Sequence, residues 1–451
     1  MSNFLLLTSN FRIMSMENYR YLIIGNSTGG IGTVEGIRAV DPEGPIAVIG
    51  EEPGPAYARP LISELLSGEK TQEQIFYRSP RFYPDNRVDL FAGTRAEEID
   101  ISGRLVRTGD GKTRGWEKLL LAVGGTPIVP EFEGRENPGV FTFTTREDAL
   151  QIREYLRKRE GGKRVVILGG GLIGLKAAEA FRARGLEVVM VELQDRVLAP
   201  VLDPASSRWL ENVLSQEGIS LRFQDTVARA LPVRTGGFPL SVELKSGNSI
   251  PADLLLVAIG VRPRVELARV SGLQVDRGIL VNSRMETSTA GIFSCGDVAS
   301  IGDFFTGTNR PIPVWINAYW GGRVAGMNMA GDDREYEMGM MMNSLRVFGK
   351  PVISAGLVNP PAGGGVEVLQ GEEKGSRRTL LVRDGRLLGF SILGEIQSAG
   401  ILAALIRSRA EIGEFRPRLL KPDFSLLDLP RGFRQELREG RWNRSEKSTL
   451  V

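Results

Sequence analysis

The apolar residues of this chain fall into short continuous runs joined by helix-period stretches. Val165–Leu168 is one run and Val188–Val191 another; between them Ala177, Ala178, Ala180, Phe181 and Ala183 follow a helix-compatible spacing. Tyr21–Gly25 and Ile46–Ile49 repeat the arrangement near the N-terminus. Four or five apolar residues in a row suit a strand buried on both faces, and an intervening helix makes the βαβ unit of a parallel sheet. Further strands are expected at Lys118–Gly125, Ser220–Gln224, Leu240–Lys245, Asp253–Ala258, Gly278–Asn282 and Gly291–Asp297. Helices are expected at Arg146–Lys158 (ended by Gly161-Gly162), Ser206–Gln216 and from near Val314. After Tyr336 the pattern changes to strand-like runs at Ser344–Val347, Val366–Leu369, Thr379–Val382 and Leu387–Ile392, then one helix, Ser398–Arg407. Arg431–Val451 alternates charges without an apolar stripe and is expected to be a solvated or loosely docked tail.

The turns between strand and helix carry the chemistry. Gly169, Gly171 and Gly174 spell G-x-G-x-x-G directly after a strand, and Glu192 ends the next strand 18 residues beyond Gly174. The first glycine makes the tight turn, the second admits a pyrophosphate to the backbone, and the third lets helix and strand pack closely. The helix N-terminus offers unpaired N–H groups to the phosphates, and the acid accepts from the adenosine ribose. The same order recurs at Gly25-Asn-Ser-Thr-Gly-Gly30, with Glu51 21 residues after Gly30 and Ser27 in place of the middle glycine. Two dinucleotide sites imply two dinucleotides, most simply a bound flavin and a diffusible nicotinamide. The fold class is therefore α/β, with two Rossmann-like domains and a small α+β C-terminal domain.

Composition then removes alternatives. The 451 residues are enough for about three domains. A net charge of +3 is too balanced for a dedicated nucleic-acid binder. No apolar run approaches the roughly 20 residues of a membrane helix. Residues 1–20 lack the basic start and long apolar core of a secretory signal. A disordered extension is expected there, with Met14 or Met16 as alternative starts, and the cytoplasm is the expected location. One cysteine and no histidine exclude a Cys/His metal site, a histidine-based triad and a dithiol pair, so no metal is expected. What remains is chemistry borrowed from a cofactor.

The first fingerprint, "YARPLIS" at 57–63, "LLLAVGGTP" at 119–127 and "IFSCGDVAS" at 292–300 together resemble the two-dinucleotide flavoproteins of the glutathione reductase type. That family includes ferredoxin reductases, NADH–rubredoxin reductases and the flavin module of assimilatory nitrite reductase. The resemblance covers about residues 20–430. It implies FAD on Gly25, Ser27, Gly30 and Glu51, with Arg59 near the pyrophosphate. Gly124 would sit in the turn closing the first flavin segment, where Val123 replaces a threonine. Gly296-Asp297 would be the third flavin signature, its aspartate accepting from a ribityl hydroxyl. It further implies NADH on Gly169, Gly171, Gly174 and Glu192, with Gly260 facing the nicotinamide. The helix from near Val314 would point its N-terminus at the flavin pyrimidine and stabilise the anionic reduced ring. The implied division is a FAD-binding domain of 19–145 and 254–335, a NAD-binding domain of 146–253 and a C-terminal interface domain of 336–430. Flanking these are the extension 1–18 and the tail 431–451. In the family the C-terminal segment packs on the flavin domain and often forms a dimer contact, so the resemblance leaves a homodimer through that domain open.

Disulfide-reducing members carry a cysteine pair on the helix after "YARPLIS", and NADH oxidases carry one. Here residues 59–68 hold none, and Cys295 is expected to be a small buried hydrophobe. The cysteine-free members pass single electrons to an iron–sulfur or rubredoxin-type carrier, so a small redox protein is the expected partner. Reduction of a quinone or oxygen, or a non-catalytic subunit role in a larger complex, stand as alternatives. Ferredoxin reductases of the family place a lysine near the flavin N5, paired with a glutamate two residues past the second fingerprint. Counting along this chain puts Glu64 and Lys176 there, with the charges exchanged. The two are expected to touch beside the isoalloxazine, Lys176 favouring the anionic reduced flavin.

Overall fold

The computed structural model describes residues 17–159, 163–233, 237–337, 339–361, 363–373 and 375–439. Two parallel sheets form its centre. In the first, Val88–Ala92, Ile46–Gly50, Glu17–Ile24 and Thr113–Leu121 lie side by side, all parallel. Ile292–Ser294 adds a fifth parallel strand along Leu119–Leu121, while the antiparallel strand Leu105–Thr108 pairs with the other end of Thr113–Leu121 and Ala96–Asp100 pairs in turn with Leu105–Thr108. The strands of this sheet come from two separate stretches of sequence. Its helix Thr28–Arg38 lies against Trp315–Met329 at backbone contact, because glycines face each other. A Cβ on Gly322 would sit 2.1 Å from the Gly29 carbonyl oxygen, and one on Gly326 2.2 Å from that of Thr33.

The second sheet runs Ile219–Phe223, Glu187–Glu192, Arg164–Leu168, Leu254–Val257, Val140–Thr142, again all parallel. This moves the domain boundary. Leu254–Val257 and Val140–Thr142, assigned from sequence to the flavin-binding segments, belong to the NAD-binding sheet. The boundary is instead a two-stranded ribbon, Gly125–Pro127 paired with Val261–Pro263. The proline-rich stretch before Arg146 hid a three-residue edge strand, too short to show a period.

The third unit is an antiparallel sheet of five strands, ordered Met342–Val347, Lys350–Gly356, Arg386–Leu393, Ser376–Arg383, Glu367–Glu373, covered by the helix Ala399–Ser408. Lys350–Gly356 was not read from sequence, since Pro351 interrupts its start. This unit does not rest on the flavin domain alone. Phe304 and Phe305 of that domain pack on its core, but Val347, Val352 and Leu393 are buried in the same cluster as the NAD-binding core. Of the expected tail, Arg431–Glu439 is a helix, with Phe433 packed on the C-terminal core; residues 440–451 lie outside the described residues. So do Gly161-Gly162 and residues 1–16, while Glu17 and Asn18 already belong to the first strand.

Candidate functional site

Both fingerprints adopt the same close-packed turn. Gly25 (φ +128°) and Gly169 (φ +116°) take left-handed backbone, and a Cβ would meet the carbonyl oxygens of Ala122 at 2.2 Å and Ala258 at 2.4 Å. Side chains there would displace backbone, so only glycine fits. Gly30 and Gly174 repeat the logic one turn into each helix, 2.0 Å from the Gly25 oxygen and 2.1 Å from that of Gly169. Gly171 is different. Its backbone is ordinary extended conformation and a Cβ would meet nothing within 4 Å. Neither strain nor protein packing demands glycine at this position; the space it leaves lies over the helix N-terminus, where a pyrophosphate would rest. Ser27 occupies the equivalent N-cap, and its hydroxyl makes no cap hydrogen bond. The neighbouring Thr28 hydroxyl is buried without a partner among the described residues.

The acids diverge. Glu192 accepts from the N–H of Gly170 (2.6 Å) and of Gln194 (2.7 Å), which fixes its carboxylate beside the fingerprint. Glu51 is half exposed and pairs with Arg264 (2.6 Å), which also donates to Thr126; Arg95 lies 3.7 Å away. Arg264 carried no signal in the sequence because its partner is 213 positions away.

At the third signature Gly296 (φ +77°) turns the chain against Ala318, whose Cβ is 3.6 Å from where a Gly296 Cβ would be. The Asp297 carboxyl accepts no hydrogen bond among the described residues, and burial raises its pKa against the pull of Arg59. A partly buried acceptor without a donor suits a ribityl hydroxyl. Arg59 forms an ion pair with Glu52 and donates to the Thr144 carbonyl at 2.8 Å. Tyr57 closes the set, donating to Glu52 and accepting from the Arg146 N–H at 2.8 Å. Glu52, next to Glu51, escaped the sequence reading, and Tyr57 entered it only as the first letter of "YARPLIS" without a role. Gly124 (φ +69°) and Gly260 (φ +117°) both face open space within 4 Å of any Cβ.

Cys295 is fully buried, with a thiol pushed up to about 12 by burial, and its sulfur lies 2.9 Å from a Cβ placed on Gly29. It acts as a small packing residue. Lys176 lies with its amine 3.8 Å from Glu64 and also pairs with Glu179 on its own helix. All three side chains are about three-quarters buried, at 25%, 20% and 25% exposure. Among the described residues no group of His, Cys, Asp and Glu could hold a metal, and no helix is long and apolar enough to cross a membrane.

Residues 19–322 match the sequence profile of the pyridine nucleotide-disulphide oxidoreductases. The chain belongs to that family. With membership goes flavin-dependent NAD(P)H oxidoreductase chemistry, with FAD and NADH as cofactors. Among similar proteins, the chain is 31% identical over 410 residues to the NADH-dependent phenylglyoxylate dehydrogenase subunit epsilon of Aromatoleum evansii, covering 90% of this chain and 96% of that one. It is 32% identical over 311 residues to a rubredoxin-NAD(+) reductase of Pseudomonas putida, covering 69% and 80%. A chain of the covalent putidaredoxin reductase–putidaredoxin complex shares the fold, with a TM-score of 0.81 over 94% of this chain and 98% of that one at 24% identity. The family name notwithstanding, the one cysteine leaves no dithiol for disulfide exchange.

Proposed function

We propose that this flavoprotein oxidises NADH and passes the electrons singly to a small iron–sulfur or rubredoxin-type protein, in the cytoplasm. FAD rests on Gly25, Ser27, Gly30, Glu51, Arg59, Gly124, Gly296 and Asp297; NADH rests on Gly169, Gly171, Gly174, Glu192 and Gly260. When bound, FAD supplies the conversion of one hydride into two single electrons. The observation that carries the reading is the pairing of two intact nucleotide cradles with a site free of any reactive thiol. The substrate-side cysteines of the disulfide branch are absent, so electrons leave without covalent chemistry.

The helix Trp315–Met329 supports a protein acceptor. Its inner face touches Gly296 through Ala318, while Ile316 (43% exposed) and Trp320 (49% exposed) stand one turn apart on its outer face. Arg323, further along the helix, instead packs its backbone against Gly36 of the helix Thr28–Arg38 and is half-buried beside Tyr319. One helix diameter, about 10 Å, separates this surface from the flavin turn. An exposed apolar pair this close to the flavin turn fits the docking face of a small carrier protein. Trp320→Ala is expected to lower kcat/KM for the carrier about tenfold, as for a central interface aromatic, and to leave NADH–ferricyanide turnover unchanged. Equal loss with both acceptors would assign Trp320 to the fold instead.

A second reading makes the chain the NADH-oxidising subunit of a larger redox complex. The near end-to-end match to a dehydrogenase epsilon subunit favours it. The flavin chemistry is then the same, and the carrier is a fixed neighbour.

A further inference from the structure

The NAD-binding domain is an insertion joined to the flavin domain by two chain crossings, the ribbon Gly125–Pro127/Val261–Pro263. Three ladder pairs make a narrow joint about which a domain can turn. Against the flavin domain it is held by apolar contact with Ile62, Leu65 and Leu66, by arginine–carbonyl bonds of 3.2 Å (Arg153 to Leu65) and 3.4 Å (Arg184 to Leu66), by the 3.8 Å pair of Lys176 with Glu64, and at the entry to the helix Arg146–Arg157, where Arg59 donates to the Thr144 carbonyl and the Arg146 N–H donates to Tyr57, each at 2.8 Å. Apolar contact is non-directional and does little to fix an angle.

A second set of directional bonds ties it to the C-terminal domain. Asp203 caps the NAD-domain helix Pro204–Gln216, accepting from the N–H groups of Ala205 (3.1 Å) and Ser206 (3.2 Å). Its second oxygen accepts from the hydroxyls of Ser206 and, across the domain boundary, of Ser391 at 2.7 Å. Asp203, Ser206 and Ser391 are all buried, the two hydroxyl oxygens 3.2 Å apart. Burial opposes the charge on Asp203, yet these bonds hold its pKa below the usual carboxylate value. Two flanking ties run the same way: Asn359 donates to the Ala199 carbonyl (3.0 Å), and the Phe348 N–H donates to Glu179 (3.0 Å).

We propose that Asp203 and Ser391 form a latch which sets the angle of the NAD-binding domain about the ribbon, making them positioning residues for hydride transfer to the flavin. The nucleotide cradle lies wholly within the latched domain. Loosening the latch therefore leaves NADH affinity intact while misplacing the nicotinamide, and a misplacement of about 1 Å can cost about a hundredfold in rate. The hydride half-reaction is read without any carrier, so this inference stands or falls apart from the choice of acceptor.

The test uses the full-length, FAD-loaded protein mixed rapidly with NADH, following loss of the oxidised-flavin absorbance. Ser391→Ala is expected to lower the limiting rate of reduction about tenfold with the apparent Kd for NADH changed less than about twofold. Hydrogen exchange should rise in both Pro204–Gln216 and Arg386–Leu393. Ser391→Asp, which sets a second carboxylate against Asp203, should be slower still, and Asp203→Asn added to it should recover much of the rate. A wild-type limiting rate in Ser391→Ala, or a loss in Ser391→Asp that Asp203→Asn does not relieve, would overturn the latch.

Discussion

Lys176→Glu is expected to slow flavin reduction by NADH by about ten- to a hundredfold, and adding Glu64→Lys is expected to restore part of it. The wild-type ammonium lies between Glu64 of the flavin domain and Glu179 of its own helix, with the Arg346 carbonyl 3.4 Å away. Replacing it by a carboxylate gathers three acids at a site about three-quarters buried. Breaking a buried pair costs about 3–5 kcal/mol; partial exposure reduces that to about 1.5–3 kcal/mol, which sets the range of rates. Restoring a cation through Glu64→Lys re-forms the pair in the opposite sense. Glu179 does not change, so it still faces the introduced carboxylate and recovery stops short of wild type. We propose that the pair serves the flavin, Lys176 favouring its anionic reduced form, and the double-mutant cycle measures this as a coupling energy. Strictly additive effects on the reduction rate would make the contact incidental.

The second large effect is nucleotide choice. NADH is expected to be preferred over NADPH by about thirtyfold in kcat/KM. A 2′-phosphate about 4 Å from the Glu192 carboxylate meets repulsion of up to about 4 kcal/mol at an effective dielectric near 20, and about 2 kcal/mol after screening. The carboxylate cannot swing aside, because the N–H groups of Gly170 and Gln194 hold both its oxygens. Arg196, four residues on, could offset the repulsion, but it pairs with Asp195 at 2.8 Å. Glu192→Ser should bring the two nucleotides close to parity. Equal kcat/KM for both in the wild type would remove Glu192 from the specificity argument.

Much of this architecture was legible because Rossmann units announce themselves locally. Strand, glycine turn, helix and acid all fall within about 30 residues, and Gly25, Gly30, Gly169 and Gly174 are dictated by backbone contacts of 2.0–2.4 Å. What was not legible depends on contacts between distant residues. Arg264 on Glu51, Ser391 on Asp203 and Phe348 on Glu179 join positions 213, 188 and 169 apart. No local period marks such pairs. The same reason explains why the C-terminal unit was expected on the flavin domain, when Val347, Val352 and Leu393 complete the core of the other one. The domain boundary failed on a smaller scale. Val140–Thr142 is only three residues long, and its place was fixed by pairing with Leu255–Val257 rather than by its own sequence. Glu64 and Lys176 mark the middle ground: their counting offsets were visible, but the third member, Glu179, appears only when Lys176 has a helix to share with it.

The central question is where the electrons go after the flavin. The FAD-loaded protein should be given NADH and, in parallel, rubredoxin, a small iron–sulfur ferredoxin, a soluble quinone or oxygen as acceptor. Rapid reduction of one of the two proteins, falling as ionic strength rises, with slow turnover on quinone and oxygen, is the expected result. Fast turnover on quinone or oxygen with neither protein reduced would contradict it.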